Sequence, residues 1–156
     1  MISFRPVQQH EFAAFVDYFV SDYAIEIVAN YRLSEGEARQ QARREVESSF
    51  PGAENTPGQV LLCIMQAQRH IGYLWYKPDA ELKSAYINDF YLFPKFRGQG
   101  FGSEAMKQLE EKLEADGYTQ IKLRVAAENQ QARNVYEANG FAVTGINMNK
   151  LLGKRT

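Results

Sequence analysis

The residues best suited to chemistry in this 156-residue chain are Arg97-Gly98-Gln99-Gly100-Phe101-Gly102-Ser103. Glycines at alternate positions let backbone N–H groups approach an anion with no Cβ in the way. Ahead of them, Tyr86, Ile87, Phe90, Tyr91, Leu92 and Phe93 supply the content of a strand, and Pro94 stops it. After them, Phe101, Ala105, Leu109 and Leu113 recur every fourth residue, the stripe of a helix. The glycines therefore join a strand to a helix N-terminus. The first N–H groups of a helix lack internal partners, and the helix dipole places roughly +0.5 charge there. A phosphate or pyrophosphate suits such a turn, and Arg97 adds a fixed positive charge beside it.

The spacing narrows the ligand. A Walker A loop ends in Gly-Lys-Ser/Thr, whereas Gly102 is followed directly by Ser103. A dinucleotide fingerprint needs Gly-x-Gly-x-x-Gly and an acidic residue roughly 20 positions later. Here the glycines run 98, 100, 102, and the next strand ends in Val125-Ala126-Ala127. Both nucleotide patterns fit poorly, so a nucleotide-binding α/β protein is the disfavoured alternative.

Arg97-x-x-Gly100-x-Gly102 after an aromatic strand resembles the acyl-CoA-binding signature of the GNAT acyltransferase superfamily. A second stretch, Asn129-Gln-Gln-Ala132-Arg-Asn-Val-Tyr136-Glu-Ala-Asn-Gly140-Phe141, is similar to that superfamily's downstream signature. The likeness covers about residues 58–152 well and the N-terminal third in outline. Thr56-Pro57-Gly58 ahead of a strand also resembles a set of small bacterial GNAT proteins.

The resemblance implies an N-acetyltransferase that moves an acetyl group from acetyl-CoA to a primary amine, directly and in a ternary complex. Phe90, Tyr91 and Leu92 would flank the pantetheine arm, which pairs with open strand backbone. Arg97, Gly98, Gln99, Gly100, Phe101, Gly102 and Ser103 would hold the pyrophosphate. Asn129 would bond the pantetheine amide, although it also reads as the N-cap of the next helix; Ala132, one turn on, would contact the same cofactor. Tyr136, seven residues or about two turns past Asn129, would hydrogen-bond or protonate the leaving thiolate. Its plain alternative is a packed helix aromatic.

Asp89, one residue ahead of Phe90, matches a position where related acetyltransferases carry an acid. It is the candidate base or water anchor, with a structural carboxylate as its alternative. A strand N–H, at Leu92, would face the oxyanion. Tyr23, Glu26, Tyr31 and Glu54 are candidates for reading a cationic amine, against the ordinary reading of acids on a solvated helix face. The bulk of Phe90 and Tyr91 favours acetyl over longer acyl groups. A non-catalytic acyl-CoA sensor is the alternative function, and a homodimer through C-terminal strands is a further implication of the resemblance.

Composition narrows the rest. Hydrophobic residues make up 45% and charged residues 24%, with net charge −1, which gives no global electrostatic case for nucleic acid or an anionic membrane. The length fits a single domain, 1–156, with its own core. Cys63 is the sole cysteine and sits in an apolar run, so it reads as a packing residue and no intrachain disulfide exists. His10 and His70 read as isolated surface or turn residues, and no metal is expected. No apolar run approaches the roughly 20 residues of a membrane span. Arg5 and Pro6 interrupt any signal-peptide pattern, so the expected compartment is the cytoplasm.

The elements that must position these residues read in order. Residues 1–7 alternate as an opening strand. Phe12, Phe15, Val16, Phe19, Val20, Tyr23 and Ile27 mark a helix that runs to about Tyr31. Ser34-x-x-Glu37 is a capping box for a second helix, striped by Ala38, Ala42, Val46 and Phe50. Pro51-Gly52 ends it. Val60–Met65 and Ile71–Tyr76 form a hairpin. The strand 86–93, its loop and helix, and a strand at 119–126 make a βαβ unit with parallel strands. A helix then ends at Gly140, and 141–152 alternates as a last strand with Gly145 as a bulge. The total is about seven strands and four helices, an α/β mixed sheet. The GNAT resemblance adds that it is mostly antiparallel, with splayed parallel central strands.

Overall fold

The structure, a computed structural model, describes residues 1–153. Strand β1 (Ile2–Pro6) leads through a 3₁₀ turn at Gln9–Glu11 into α1 (Phe12–Tyr31) and α2 (Glu35–Ser49). Three strands follow, β2 (Val60–Gln66), β3 (Arg69–Asp79) and β4 (Ser84–Leu92). After them come α3 (Phe101–Ala115), β5 (Gln120–Leu123) and α4 (Gln130–Ala138). The sheet order is β1-β2-β3-β4-β5; all neighbours are antiparallel except the parallel pair β4–β5.

Local chemistry sets the helix ends. Ser34 Oγ accepts from Glu37 N (3.1 Å) while Glu37 Oε1 accepts from Ser34 N (3.2 Å), so the capping box forms as its sequence predicts. Successive side chains of a strand point to opposite faces, and each face has its own core. Leu61, Cys63, Tyr73 and Trp75 pack under α1 and α2, against Phe15, Val20, Ile27, Ala42 and Val46. Leu62, Ile64, Leu74 and Tyr76 pack on the other face with Met106, Leu109 and Leu113 of α3. Burial on both faces explains why β2 and β3 read as nearly continuous apolar runs.

Two features of β4 position the site. Its parallel pairing with β5 covers only Ser84–Ile87 against Gln120–Leu123. Beyond Ile87, β4 pairs with β3 alone. At that same point β4 bulges: Trp75 pairs with Asp89 and Tyr76 with Ile87, which leaves Asn88 as the extra residue. A bulge reverses the side-chain parity of a strand. Before it, Ala85 and Ile87 face α3; after it, Phe90 and Leu92 do, and Asp89 and Tyr91 turn toward α1.

The strand count corrects the sequence reading. There are five strands among the described residues, not about seven, and residues 141–152 form no strand. Their alternation would give a strand one apolar face, but a strand needs an edge to pair with. β5 is only four residues long, and Asn147, Asn149 and Gly145 disfavour extended pairing. Val143, Ile146, Met148 and Leu152 are left exposed, and Gly145 bulges nothing. The parallel pair expected at 86–93 and 119–126 is present but shorter. The second hairpin strand, expected at Ile71–Tyr76, runs on to Asp79.

Candidate active site

The glycine loop leaves β4 through a 3₁₀ turn at Pro94–Phe96. Gly98 and Gly100 have φ of 76° and 83°, a left-handed region that favours glycine, so these two positions need that residue. Gly100 caps α3, and Glu104 N donates to its carbonyl (3.1 Å). None of the backbone N–H groups from Gly98 to Ser103 finds a backbone acceptor among the described residues. These donors cluster at the positive end of a 15-residue helix. Gly102 sits 3.7 Å, measured from where its Cβ would lie, from Leu92 Cδ1, with Phe90 next to it.

The other loop residues tie the ends together. Arg97 folds back over β4: its Nε donates to the Leu92 carbonyl (2.9 Å) and its guanidinium lies 5.0 Å over the Tyr91 ring. Gln99 donates to the Lys95 carbonyl (3.3 Å). Phe101 packs into the α3-side core. Ser103 Oγ accepts from Asn139 Nδ2 (3.2 Å), which links the start of α3 to the end of α4.

Helix α4 carries the second set. Asn129 is its N-cap: Oδ1 accepts from Ala132 N at 3.1 Å. The cap therefore uses the side-chain oxygen and leaves the amide NH₂ to donate elsewhere. At the other end, Phe141 N donates to the Tyr136 carbonyl (3.0 Å) and Gly140 N to the Glu137 carbonyl (3.1 Å). With Gly140 at φ 91° this is a Schellman motif, which brings the residue after the glycine back against the last turn. The Phe141 ring meets the Tyr136 ring edge-on at 5.6 Å. The Gly-Phe that closes the second motif thus clamps Tyr136 in place. Burial pushes the Tyr136 phenol up to about 12, and the Asp89 charge adds to that. At neutral pH the group is a proton donor.

Asp89 is the acidic candidate, on β4. Tyr18, from α1, donates its hydroxyl toward both carboxylate oxygens, at 3.0 and 2.8 Å. Burial raises the Asp89 carboxyl to about 7; the Tyr18 bond pulls it down and the Asp22 charge pushes it up. Tyr18 is held by its neighbours, stacked on Tyr73 (5.3 Å, 19°) and tilted on Tyr91 (4.1 Å). The sequence reading did not single out Tyr18. The signal available was an apolar parity that switches from odd (85, 87) to even (90, 92) across Asn88-Asp89.

Of the candidates for an acceptor pocket, Tyr23, Glu26 and Tyr31 lie around Arg124, and Glu54 lies in a separate turn. Glu26 is paired with Arg124 at 3.2 Å. Tyr23 packs on Phe19, and Tyr31 is exposed at the end of α1. Glu54 Oε2 accepts from Asn55 Nδ2 in the 53–55 turn. The fold does not gather these four at Asp89. His70 is also corrected: it lies on β3, partly buried, with its ring edge-on to Tyr73 and Phe93. It has ligand-type neighbours, since one ligand atom from each of Glu11, Cys63 and His70 lies within 4.8 Å of the others. Both Glu11 oxygens are already held by Arg5 at 2.8 Å, and Nε2 of His70 bonds the Gly72 carbonyl. Cys63 is fully buried, as its apolar run predicts, and burial raises its thiol to about 11.

A parallel strand pair that opens beyond Ile87, followed by a loop of unpartnered N–H groups at a helix N-terminus, suits an extended ligand with an anionic end. The model of the Acetyltransferase (GNAT) family matches residues 5–141, and the chain belongs to that family. It is an acyltransferase. It is 30% identical over 154 residues to the uncharacterised N-acetyltransferase YycN of Bacillus subtilis, covering 97% of this chain and 99% of that one. A second uncharacterised N-acetyltransferase of that organism, YdgE, is 29% identical over 92% of this chain and 94% of its own. The crystal structure of YycN superposes with a TM-score of 0.91 over 99% of this chain and all of that one, at 29% identity. The PaiA N-acetyltransferase of Thermoplasma acidophilum, solved with coenzyme A, shares the fold at 17% identity, with a TM-score of 0.66 over 94% of this chain and 93% of its own. No helix among the described residues is long and apolar enough to cross a membrane.

Proposed function

We propose that the chain, as a single catalytic domain, transfers an acetyl group from acetyl-CoA to a primary amine directly, in a ternary complex. The observation that carries this reading is a held carboxyl, Asp89 bonded by the Tyr18 hydroxyl, on β4 just beyond Ile87, where the pairing with β5 stops. Tyr136, on α4, is the candidate acid, and the Asp89 charge adds to the rise of its phenol. Asp89 takes a proton from the acceptor ammonium. The freed amine nitrogen attacks the thioester carbonyl, and the backbone N–H of Leu92 faces the oxygen that becomes negative. The C–N bond forms, the C–S bond breaks, and Tyr136 protonates the leaving thiolate; the second proton, shed by the nitrogen as it becomes an amide, restores the Tyr136 phenol, and the first leaves Asp89 for solvent. The N–H groups of residues 98–103 and the charge of Arg97 hold the pyrophosphate, while Phe90, Tyr91 and Leu92 flank the pantetheine, whose amide meets Asn129 beside Ala132. Cys63 lies fully buried in the α1-side core, which argues for direct transfer rather than a covalent acyl-enzyme.

Exposed Val143, Ile146 and Met148 support a homodimer through residues 141–152. The test of function is CoA-thiol release from acetyl-CoA across amine classes: putrescine, lysine, an aminoglycoside and a peptide N-terminus. Release with one class and not with buffer supports the transferase. Binding of acetyl-CoA with no release for any class would favour a sensing domain.

A further inference from the structure

Asp89 has a partner that neither signature motif contains. We propose that Tyr18 is a positioning residue: its hydroxyl orients the Asp89 carboxylate and holds it in the proton-accepting form. The inference rests on the reading of Asp89 as base. Three observations carry it. The phenol oxygen lies 3.0 and 2.8 Å from the two carboxylate oxygens, so one donor spans both. The ring is wedged between Tyr73 of β3 and Tyr91 of β4, at 5.3 and 4.1 Å, which fixes its rotamer. The bulge at Asn88 turns Asp89 onto the α1 face, the face Tyr18 occupies.

The chemistry follows from the donor's sense. A carboxylate offers about four lone-pair positions, and one hydroxyl leaves room for an ammonium proton. A hydrogen bond to the charged form favours that form, which opposes the desolvation that would otherwise keep Asp89 protonated. Burial and the neighbouring acids raise the Tyr18 phenol far above its ordinary value, so it stays a donor throughout. The titratable groups facing Asp89 are Tyr18 and Asp22 from α1 and Tyr136 from α4; Arg97 acts on Asp22 in turn.

The test is an NMR titration of the aspartate side-chain ¹³C carboxyl signals in the ligand-free protein, with the Asp89 signal assigned by its loss in Asp89→Asn. In the parent chain the signal titrates near neutrality. In Tyr18→Phe, which keeps the ring and its stacking, the midpoint rises by about one pH unit, so the charged fraction at pH 7 falls from about half to about a tenth. Tyr23→Phe removes a hydroxyl from the same helix and leaves the midpoint alone. Thermal unfolding checks that each variant is folded. An unmoved Asp89 midpoint in Tyr18→Phe would overturn the role of Tyr18 and leave the base reading standing. An Asp89 that titrates near 4 in the parent chain would instead remove the base. Should Tyr18→Phe not fold, Tyr18→Trp, which keeps a large ring but not the hydroxyl geometry, must raise the midpoint in its place.

Discussion

The hydroxyl of Tyr18 lies 2.8 Å from one oxygen of Asp89 and 3.0 Å from the other, across 71 residues of sequence. The carboxyl it holds titrates near 7, well above an ordinary carboxylate at about 3.9. Between those two pH values the folded chain keeps a proton that the unfolded chain has released. Stability therefore falls as pH rises through that window. Asp89→Asn removes the penalty: at pH 8 it should stabilise the chain by about 1–2 kcal/mol and lose the advantage near pH 4. Denaturant midpoints at the two pH values check this. Turnover of the same variant should fall roughly 100-fold, the usual weight of a proton-transfer group. A site that destabilises the fold where it serves the reaction is the common trade.

Tyr136 separates binding from chemistry. Tyr136→Phe keeps the ring and its contact with Phe141 and loses only the donor. Turnover should drop roughly 100-fold while acetyl-CoA affinity, read by calorimetry, stays within a factor of a few. Phe141→Ala should act differently. It takes away the ring that clamps the last turn of α4, so the melting temperature and turnover should fall together.

Arg5 and Glu11 form the paired acid and base of the opposite sign. The Arg5 bond lowers the Glu11 carboxyl to about 2. That contribution is fully present above the ordinary value near 4.3 and is lost as pH falls toward 2. Arg5 is partly solvated, so screening reduces the pair's worth to about 1 kcal/mol. Glu11→Gln should cost that amount at pH 7 and only a small part of it at pH 2, by urea unfolding at both.

Gly72 is the least replaceable glycine of the sheet. A Cβ there would lie 1.9 Å from the Tyr91 carbonyl oxygen and 3.0 Å from Leu92 Cα. Both belong to β4, where the backbone would have to move. Gly72→Ala should destabilise by about 2–3 kcal/mol. It should also weaken acetyl-CoA binding, because the displaced residues are those that flank the pantetheine.

What was legible in the sequence was local. The glycine loop, the Asn129 cap and the Gly140-Phe141 stop are each written within a few residues, and the structure forms all three turns. Tyr136 was legible through the same motif. Tyr18 was not, because its partner is 71 residues away and its neighbours Phe15 and Phe19 carry the helix stripe. The bulge at Asn88 was visible only as a change of parity, which periodicity over so few residues does not separate from noise. The last strand failed for a related reason. Alternation in 141–152 states that a face exists, not that an edge is there to receive it. The Glu11–Cys63–His70 grouping is assembled from the 3₁₀ turn at Gln9–Glu11, β2 and β3, so isolated histidines in the sequence did not announce it.

An acetyl-CoA site formed by residues 97–103 and the open β4–β5 edge is testable by thermal-shift titration. Acetyl-CoA, ATP and NAD would be compared on the same purified chain. At 100 times its dissociation constant a ligand stabilises by roughly 2.7 kcal/mol, a shift of several degrees for a domain of this size. That shift is expected with acetyl-CoA, none with NAD, and it should be lost when Gly100→Val closes the loop. No shift with acetyl-CoA, or an equal shift with ATP, would contradict the acetyl-CoA site.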